Sequence, residues 1–505
     1  MFPQTSQNHM PASLRHLFPR SSFVGCADIH VTDATERGSE CHPGTLFAVI
    51  RGTRHDGSAF IKESIARGAN ALLVERPVAS VSVPQCVVPD VRAAYAELCS
   101  RLAGTPSKSL KVSAVTGTNG KTTFTWLLRS IVEAAGQRAG ILGTIEYSDG
   151  VTIQRSSLTT PDSKSLSKWL AAMVSRRTQH AAIELSSHAL DQRRAAGTLL
   201  DVAVVTNVTQ DHFDYHRDFA TYLAAKKRIF GHLKPGGLAV LNADDPASAS
   251  LRDSLGGETK AVTYGLQFPA DVSAIVLNES LRGTRFQMQL GGESIDVCTS
   301  LVGRHNVSNC LAAAAAAAHY GISPEVIAAG IESLHSVPGR LERVDCGQPF
   351  DVFVDYAHTD DALRRCVRFL KGRSSGRVTC VFGAGGDRDR SKRPLLGQAA
   401  SEADVAVITS DNPRSEDPEA IIREILGGIN STACETVVEI DRAEAIRAAL
   451  SAAEPGDCVV VAGKGHELEQ IIGSNRIPFD DRAVIRDYFA RAMRSTGCEP
   501  ARLGA

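Results

Sequence analysis

The feature that most constrains this chain is a strand pattern, Lys111-Val-Ser-Ala-Val115, that runs through Thr116-Gly-Thr-Asn-Gly-Lys-Thr122 straight into a helical pattern beginning TTFTWLLRSIVEAAG. With the apolar runs AAIEL and VAVVTNV that follow, this reads as a βαβ-type parallel sheet. In that setting the glycines let backbone N–H groups converge on phosphate oxygens, and the helix N-terminus adds partial positive charge. The candidate loop is Gly117, Thr118, Asn119, Gly120, Lys121, Thr122 and Thr123. Lys121 suits β/γ-phosphate charge, and Thr122 offers a hydroxyl to Mg²⁺. Val115 stands where the general phosphate-loop pattern has its first glycine, so the loop alone implies ATP or GTP and no more.

At about 150 residues per domain, 505 residues make roughly three domains. The charge balance, 55 basic against 56 acidic residues, excludes a polybasic nucleic-acid binder. No apolar run approaches the length of a membrane span, and the start, MFPQTSQNHMPASLRHLF, lacks a signal-type apolar core; a cytoplasmic location is expected. The 12 cysteines are scattered without a C-x-x-C pair, so they read as reduced packing residues rather than a zinc or disulfide framework. Residues 1–108 form the first expected domain, closed by the polar stretch Gly104–Ser109, which reads as a linker. Residues 109–337 form the second. Its segment 258–300 alternates in a way that suggests antiparallel strands at the margin, and Ala312–Ala318 predicts a buried helix. From 338 to 505, four apolar strands (DVFVDYA, VTCVFGAG, VAVITSDNP, CVVVAGKG), each followed by a helical pattern, predict a doubly wound sheet with ligand contacts at the strands' carboxyl ends.

Three further places carry chemistry. Glu184 closes the strand AAIEL, where a carboxylate beside a phosphate loop can hold a hard cation; the bland alternative is pairing with an arginine such as Arg193. His212 follows another strand, in TNVTQDH, as a metal ligand, a polar orienter or a structural histidine. Lys226-Lys227-Arg228 lies on a helix and by composition reads as a solvated basic face.

TGTNGKTT, IELSSHALDQRR, TNVTQDHFDYH with the following AAK, GRHNVSN, GRLE, VDYAHT, FGAGGDRD with KRP, and AGKGHE together resemble the Mur ligases of bacterial cell-wall synthesis, in order from about residue 23 to 490. The members resembled add the third amino acid to UDP-N-acetylmuramoyl-L-alanyl-D-glutamate. The resemblance implies an α/β chain of three domains: an N-terminal UDP-substrate domain, a central ATPase domain with a parallel sheet, and a C-terminal domain like the dinucleotide-binding fold that carries the incoming amino acid. It implies a monomer using ATP and Mg²⁺, acting on small molecules and not on nucleic acid. Carried over by motif, Lys121, His212 and Lys226 are catalytic, and Thr122, Glu184, His212 and Lys226 are metal-binding, Lys226 resembling the family's carbamylated lysine. Thr159, Thr160, Ser186, Gln192 and Arg194 match positions holding the UDP-muramoyl-dipeptide. His305, Asn306 and Asn309 match the adenine end, Arg340 the phosphates, and Asp355 and His358 the nucleotide edge of the third domain.

Asp411-Asn412-Pro413-Arg414 resembles the motif of the members that add meso-2,6-diaminopimelate rather than L-lysine, although by itself it is also a turn tetrapeptide. Diaminopimelate carries one more distal carboxylate than lysine. Arg414 can grip it bidentately, Asn412 can add a hydrogen bond, and Arg388, Gly463 and Glu467 match the remaining contacts. This chain departs from the family pattern at His305 (usually Phe), Asp360 (usually Pro), Ser391 (usually Gly) and around Arg37-Gly-Ser39, so no uracil contacts are assigned. A lysine-adding or folylpolyglutamate-type ligase, a non-catalytic nucleotide-gated scaffold and a phosphate-loop kinase stay as alternatives.

Overall fold

The computed structural model describes residues 11–52, 56–209, 213–430 and 432–495. By spatial proximity the chain divides into two units, one of residues 1–275, 287–297 and 308–333, the other of residues 276–286, 298–307 and 334–505.

The first unit opens with a five-stranded sheet in the order Ser22–Val24, Gln85–Val87, Ala71–Val74, Thr45–Ala48, Asp33–Thr35, parallel except at the first pair. Leu46, Phe47, Leu72 and Leu73 are fully buried on its two faces, as continuous apolar strands of a covered parallel sheet must be. The expected linker is a tight turn, Pro106–Lys108, with Pro106 and Ser107 buried. Leu199 N–H is satisfied by the Ser107 hydroxyl at 3.1 Å, which ties the turn into the fold.

Next comes the large sheet. Its centre is the strand Lys111–Thr116 (β1), which leads through the glycine loop to the helix Lys121–Ala134 (α1). On one side of β1 runs His180–Glu184 (β2), on the other Leu200–Val205 (β3), both parallel to it. The helix Phe219–Lys227 (α2) follows. Beyond β3 the ladder continues through Leu233–Asn242 and Lys260–Gly265 to the edge strands Val272–Ser280, Gly283–Leu290 and Glu293–Thr299. The 258–300 segment is marginal as expected, but Lys260–Gly265 runs parallel, extending the sheet instead of folding back. The alanine run lies on the helix Arg304–His319, and Ala312–Ala317 are buried, small side chains allowing close backbone approach.

His180, at the far end of β2 from the loop, is buried. Its Nε2–H donates to Gln137 Oε1 at 2.8 Å, and the ring stands edge-on to Tyr320, centroids 4.7 Å apart. Burial, and then Lys111, push its pKa down from 6.5 to about 4. The unfolded chain therefore takes up this proton between pH 6.5 and 4 while the folded chain does not, so stability is full above pH 6.5 and falls as pH drops through that window. About 1.4 kcal/mol per pKa unit makes the total loss roughly 3 kcal/mol. Denaturant melts at pH 7 and pH 4.5 check this: His180→Gln should lose distinctly less stability than the parent, and parallel losses would contradict the assignment.

The second unit holds a six-stranded sheet. Four central strands, Asp351–Asp355 (β4), Val378–Phe382 (β5), Val405–Ile408 (β6) and Cys458–Ala462 (β7), lie in the order β4-β7-β5-β6, all parallel. The sequence signalled these four strands. It did not signal the edge strand Glu435–Val438, whose residues are mostly exposed and lack an apolar run. Helices follow the first three strands, but β7 leads into a hairpin, Glu469–Ile472 with Asn475–Pro478, before the helix Asp481–Ser495. Among the described residues no helix is long and apolar enough to cross a membrane.

Candidate active site

The phosphate loop is built for close approach. Gly117 and Gly120 both have positive φ (153° and 89°). A Cβ on Gly117 would collide with the Thr206 hydroxyl, and one on Gly120 with Asn309 Oδ1, so glycine is required at both. The loop is zipped to the chain that leaves β3: Thr118 N donates to Asn207 O (2.7 Å), Asn119 N to Asn207 Oδ1 (2.9 Å), and Thr206 Oγ1 to Asn119 O (2.6 Å). Gly120 caps α1 without a side chain, and the positive end of the helix meets the loop. Lys121 Nζ folds back to donate to the Gly117 and Thr118 carbonyls, both at 2.8 Å, at the mouth of the loop.

Glu184 is fully buried at the end of β2. It accepts from Thr122 Oγ1 (3.1 Å), Thr144 N (2.9 Å) and Thr144 Oγ1 (2.8 Å). Arg193 pairs instead with Asp90 at 3.5 Å, so the arginine-partner alternative for Glu184 fails. A buried carboxylate among hydroxyl oxygens is a hard donor set, and it fits Mg²⁺ by chemistry.

The basic triplet splits three ways. Lys226 is buried with Nζ 4.3 Å from the Tyr222 ring centre, Lys227 is exposed, and Arg228 pairs with Asp191 at 2.6 Å. The solvated-face reading therefore holds for Lys227 and fails for Lys226. Tyr222 also ties α2 to the loop, its hydroxyl 3.1 Å from Thr118 Oγ1. His212 lies outside the described residues.

Beside Glu184, Thr160 Oγ1 donates to the Glu184 carbonyl (2.7 Å) and accepts from Ser186 N (3.0 Å), while Thr159 and Thr144 hydroxyls are 3.2 Å apart. The Ser186 hydroxyl caps the next helix by accepting from Ala189 N. Arg194 is held by Gln192 Oε1 (2.8 Å) and the Thr160 carbonyl (3.1 Å). Gln192 and Arg194 line a cleft of about 140 Å³ with Glu36, Arg37, Arg92 and Asp162. Burial and then Asp162 push the Glu36 carboxyl up, and burial pulls the Arg194 guanidinium down against the pull of Glu36. Three arginines against two acids favour an anionic occupant. Glu36, Arg37, Arg92 and Asp162 were not foreseen; Arg37 sits in the divergent stretch, and Arg92 lies on a helix with no local signal.

In the second unit the ends of β5, β6 and β7 gather the expected amino-acid residues. Asp411 and Asn412 are buried beyond β6. Gly386 N donates to the Asn412 carbonyl (2.9 Å), and a Cβ on Gly386 would collide with the Pro413 carbonyl. A Cβ on Gly463, after β7, would come within 2.7 Å of Asp411 Oδ2. Arg414 adopts a left-handed φ of 52° and is braced by the hairpin, its N donating to Ile471 O (3.0 Å) and its O accepting from Gly473 N (2.7 Å). Its guanidinium donates to the Gly386 carbonyl at 2.5 Å. Burial, and then the neighbouring Arg388, make its charge less favourable than usual. Two neighbouring guanidiniums call for an anion. Glu467 Oε2 accepts from Asn412 Nδ2 at 2.9 Å, completing the group.

At the end of β4, Asp355 clamps backbone, accepting from Leu341 N (2.6 Å) and Ala357 N (2.8 Å), and burial raises its carboxyl pKa. Arg340 lies over the Tyr356 ring at 4.8 Å, and His358 is exposed, 4.6 Å from the same ring. His305 stands edge-on to Phe369 (6.3 Å), while Asn306 Nδ2 donates to Val302 O (2.8 Å).

Residues 30–102, 115–317 and 339–465 match, in that order, the Mur ligase family catalytic domain, the Mur ligase middle domain and the Mur ligase glutamate ligase domain. The chain belongs to the Mur ligase family. As in other Mur ligases, its fold is a three-domain α/β one. It is 42% identical over 477 residues to the UDP-N-acetylmuramoyl-L-alanyl-D-glutamate--2,6-diaminopimelate ligase of Solibacter usitatus (strain Ellin6076), covering 93% of this chain and 95% of the relative. To the ligase of the same name from Geobacillus kaustophilus (strain HTA426) it is 44% identical over 450 residues, covering 88% and 91%. A solved structure of a ligase of that name superposes with a TM-score of 0.70 at 32% identity, covering 96% of this chain and 99% of that one. Within this Mur ligase, Thr144 and Tyr222 shape the phosphate site yet carried no motif of their own, and Thr206 and Asn207, although they open the TNVTQDH motif, were given no role, because each acts through a contact that only the fold creates.

Proposed function

We propose that this Mur ligase joins the amine of meso-2,6-diaminopimelate to the D-glutamate γ-carboxylate of UDP-N-acetylmuramoyl-L-alanyl-D-glutamate, with ATP converted to ADP and phosphate, as a cytoplasmic monomer of three domains (1–108, 109–337, 338–505). The observation that carries the reading is the neighbouring pair Arg388 and Arg414, close to the Asn412–Glu467 contact at 2.9 Å. That pocket matches an amino acid bearing a distal carboxylate, and lysine would leave both guanidiniums unanswered.

The γ-carboxylate attacks the γ-phosphorus of ATP to give an acyl phosphate and ADP; the amine then attacks the acyl carbon and phosphate leaves. Lys121 and the N–H groups at the start of α1 stabilise charge on the transferring phosphoryl group, so catalysis is positioning and electrostatics with no side-chain nucleophile. Thr122 and Glu184, with His212 and Lys226 as its carbamate, would hold Mg²⁺, which supplies positive charge to the phosphate oxygens when bound. Carbamylation suits Lys226 because it converts a buried cation into an anionic donor. The anion-favouring cleft at Arg37, Arg92 and Arg194 takes the UDP-muramoyl end.

The test is phosphate release with ATP, Mg²⁺ and the UDP-dipeptide, comparing meso-diaminopimelate, L-lysine and no amine. Release should require diaminopimelate; a preference for lysine overturns the selector, and release indifferent to the amine overturns ligation. Arg414→Leu should lower kcat/KM for diaminopimelate by roughly 10²–10³-fold while barely changing the weak rate with lysine, since a charged contact of about 2–5 kcal/mol is lost only with the substrate that makes it.

A further inference from the structure

Lys464 follows Gly463 after β7, and none of its side chain is exposed. An ammonium buried that deeply is tolerable only when its three N–H bonds are used. Here they are: Nζ donates to Asn412 Oδ1 (3.1 Å), Glu467 Oε2 (3.0 Å) and the Glu469 carbonyl (2.8 Å). The backbone N–H of Ile471 also donates to Asn412 Oδ1, at 2.9 Å. An ammonium and a backbone N–H can only donate, so the atom they share must be the amide oxygen. The Asn412 amino group is thereby turned to the other side, where it donates to Glu467 Oε2 at 2.9 Å.

We infer that Lys464 is a positioning residue that sets the hydrogen-bond polarity of the amino-acid pocket, acting through Asn412 and Glu467. Among the described residues, one N–H of Asn412 and Glu467 Oε1 take no other partner. The pocket therefore offers a donor for a carboxylate and an acceptor for an ammonium side by side, with Arg414 beyond them. Without Lys464 the amide oxygen keeps only the Ile471 N–H, so its orientation is held by one donor instead of two, and Glu467 loses the cation that fixes one of its oxygens. The sequence reading absorbed Gly463 and Glu467 but passed over the lysine between them.

This inference rests on the ligase reading, so the parent protein is assayed first; absence of diaminopimelate-dependent phosphate release there overturns that reading, not this one. In Lys464→Met the KM for diaminopimelate should rise at least about 10-fold, with the KM values for ATP and the UDP-dipeptide within about twofold, as expected for one or two misdirected hydrogen bonds. An unchanged diaminopimelate KM, or equal rises in all three, overturns the inference. Adding Lys464→Met to Asn412→Ala should cost less than about threefold more than Asn412→Ala alone, because the route of action is already gone; effects that multiply overturn it. If Lys464→Met does not fold, Lys464→Gln, whose amide still donates, is put through the same comparison of three KM values, with a selective rise for diaminopimelate of at least about threefold expected and its absence overturning the inference.

Discussion

Replacing Lys121 by alanine should lower kcat for diaminopimelate-dependent phosphate release by at least about 10³-fold, the scale on which a single cationic group acts on a transferring phosphoryl group. The ammonium sits at the mouth of the loop, held by two carbonyls at 2.8 Å. Those are weak partners for a cation, and phosphate oxygens are stronger acceptors, so the side chain is poised to exchange one set for the other. Lys121→Arg should fail nearly as badly, since a planar fork cannot occupy the space of a compact ammonium between two carbonyls.

The loss would be catalytic and not a failure to fold. The loop's shape rests chiefly on the Thr206 and Asn207 contacts and on the two glycine conformations, and the Lys121 bonds to the Gly117 and Thr118 carbonyls add only a part. Thermal midpoints of parent and variant should agree within a few degrees, because the hydrogen bonds lost are each worth about 1 kcal/mol net. Retention of more than about a tenth of parental turnover would contradict the role assigned to Lys121.

What the sequence made legible was what is written in periodicity and local loop chemistry. The four strands of the second unit announce themselves as apolar runs, and the loop before α1 announces itself through glycine spacing. Contacts made across the fold were not legible. Thr144 meets Glu184 from 40 positions away in sequence, and Lys464 meets Asn412 from 52 away, so neither leaves a mark in any short window. Lys226 shows the converse. Three adjacent basic residues look alike in composition, but helical geometry points only one of them inward, and the family resemblance, not the charge pattern, singled it out. The edge strand Glu435–Val438 escaped because an exposed strand need not be apolar, and the cleft residues Arg37 and Arg92 escaped because only the fold brings them together with Arg194.

The largest effect on stability should come from Asp481. It is fully buried at the start of the last helix and receives Arg442 through both guanidinium edges, Nε to Oδ1 and Nη2 to Oδ2, each 2.8 Å. Nη2 also donates to the Ala462 carbonyl at 2.9 Å, at the end of β7 and one residue before Gly463. Burial alone would depress the Arg442 pKa, but Asp481 holds it above its usual value, so the guanidinium stays charged in the core. Asp481→Ala removes the counter-charge and strands that cation, a change that costs about 3–5 kcal/mol when one partner of a buried pair is deleted. Calorimetric melting of the second unit should shift down by about 10 °C at 2–4 °C per kcal/mol for a unit of this size. The double variant Arg442→Met with Asp481→Leu should recover most of that loss, since two apolar side chains of similar volume need neither desolvation nor pairing. Yet the double variant should still bind diaminopimelate less well than the parent, because β7 ends at a carbonyl that has lost its donor immediately before Gly463 and Lys464. A single variant that melts within about 1 kcal/mol of the parent would mean that the pair is not the clamp that joins the start of the last helix to the end of β7.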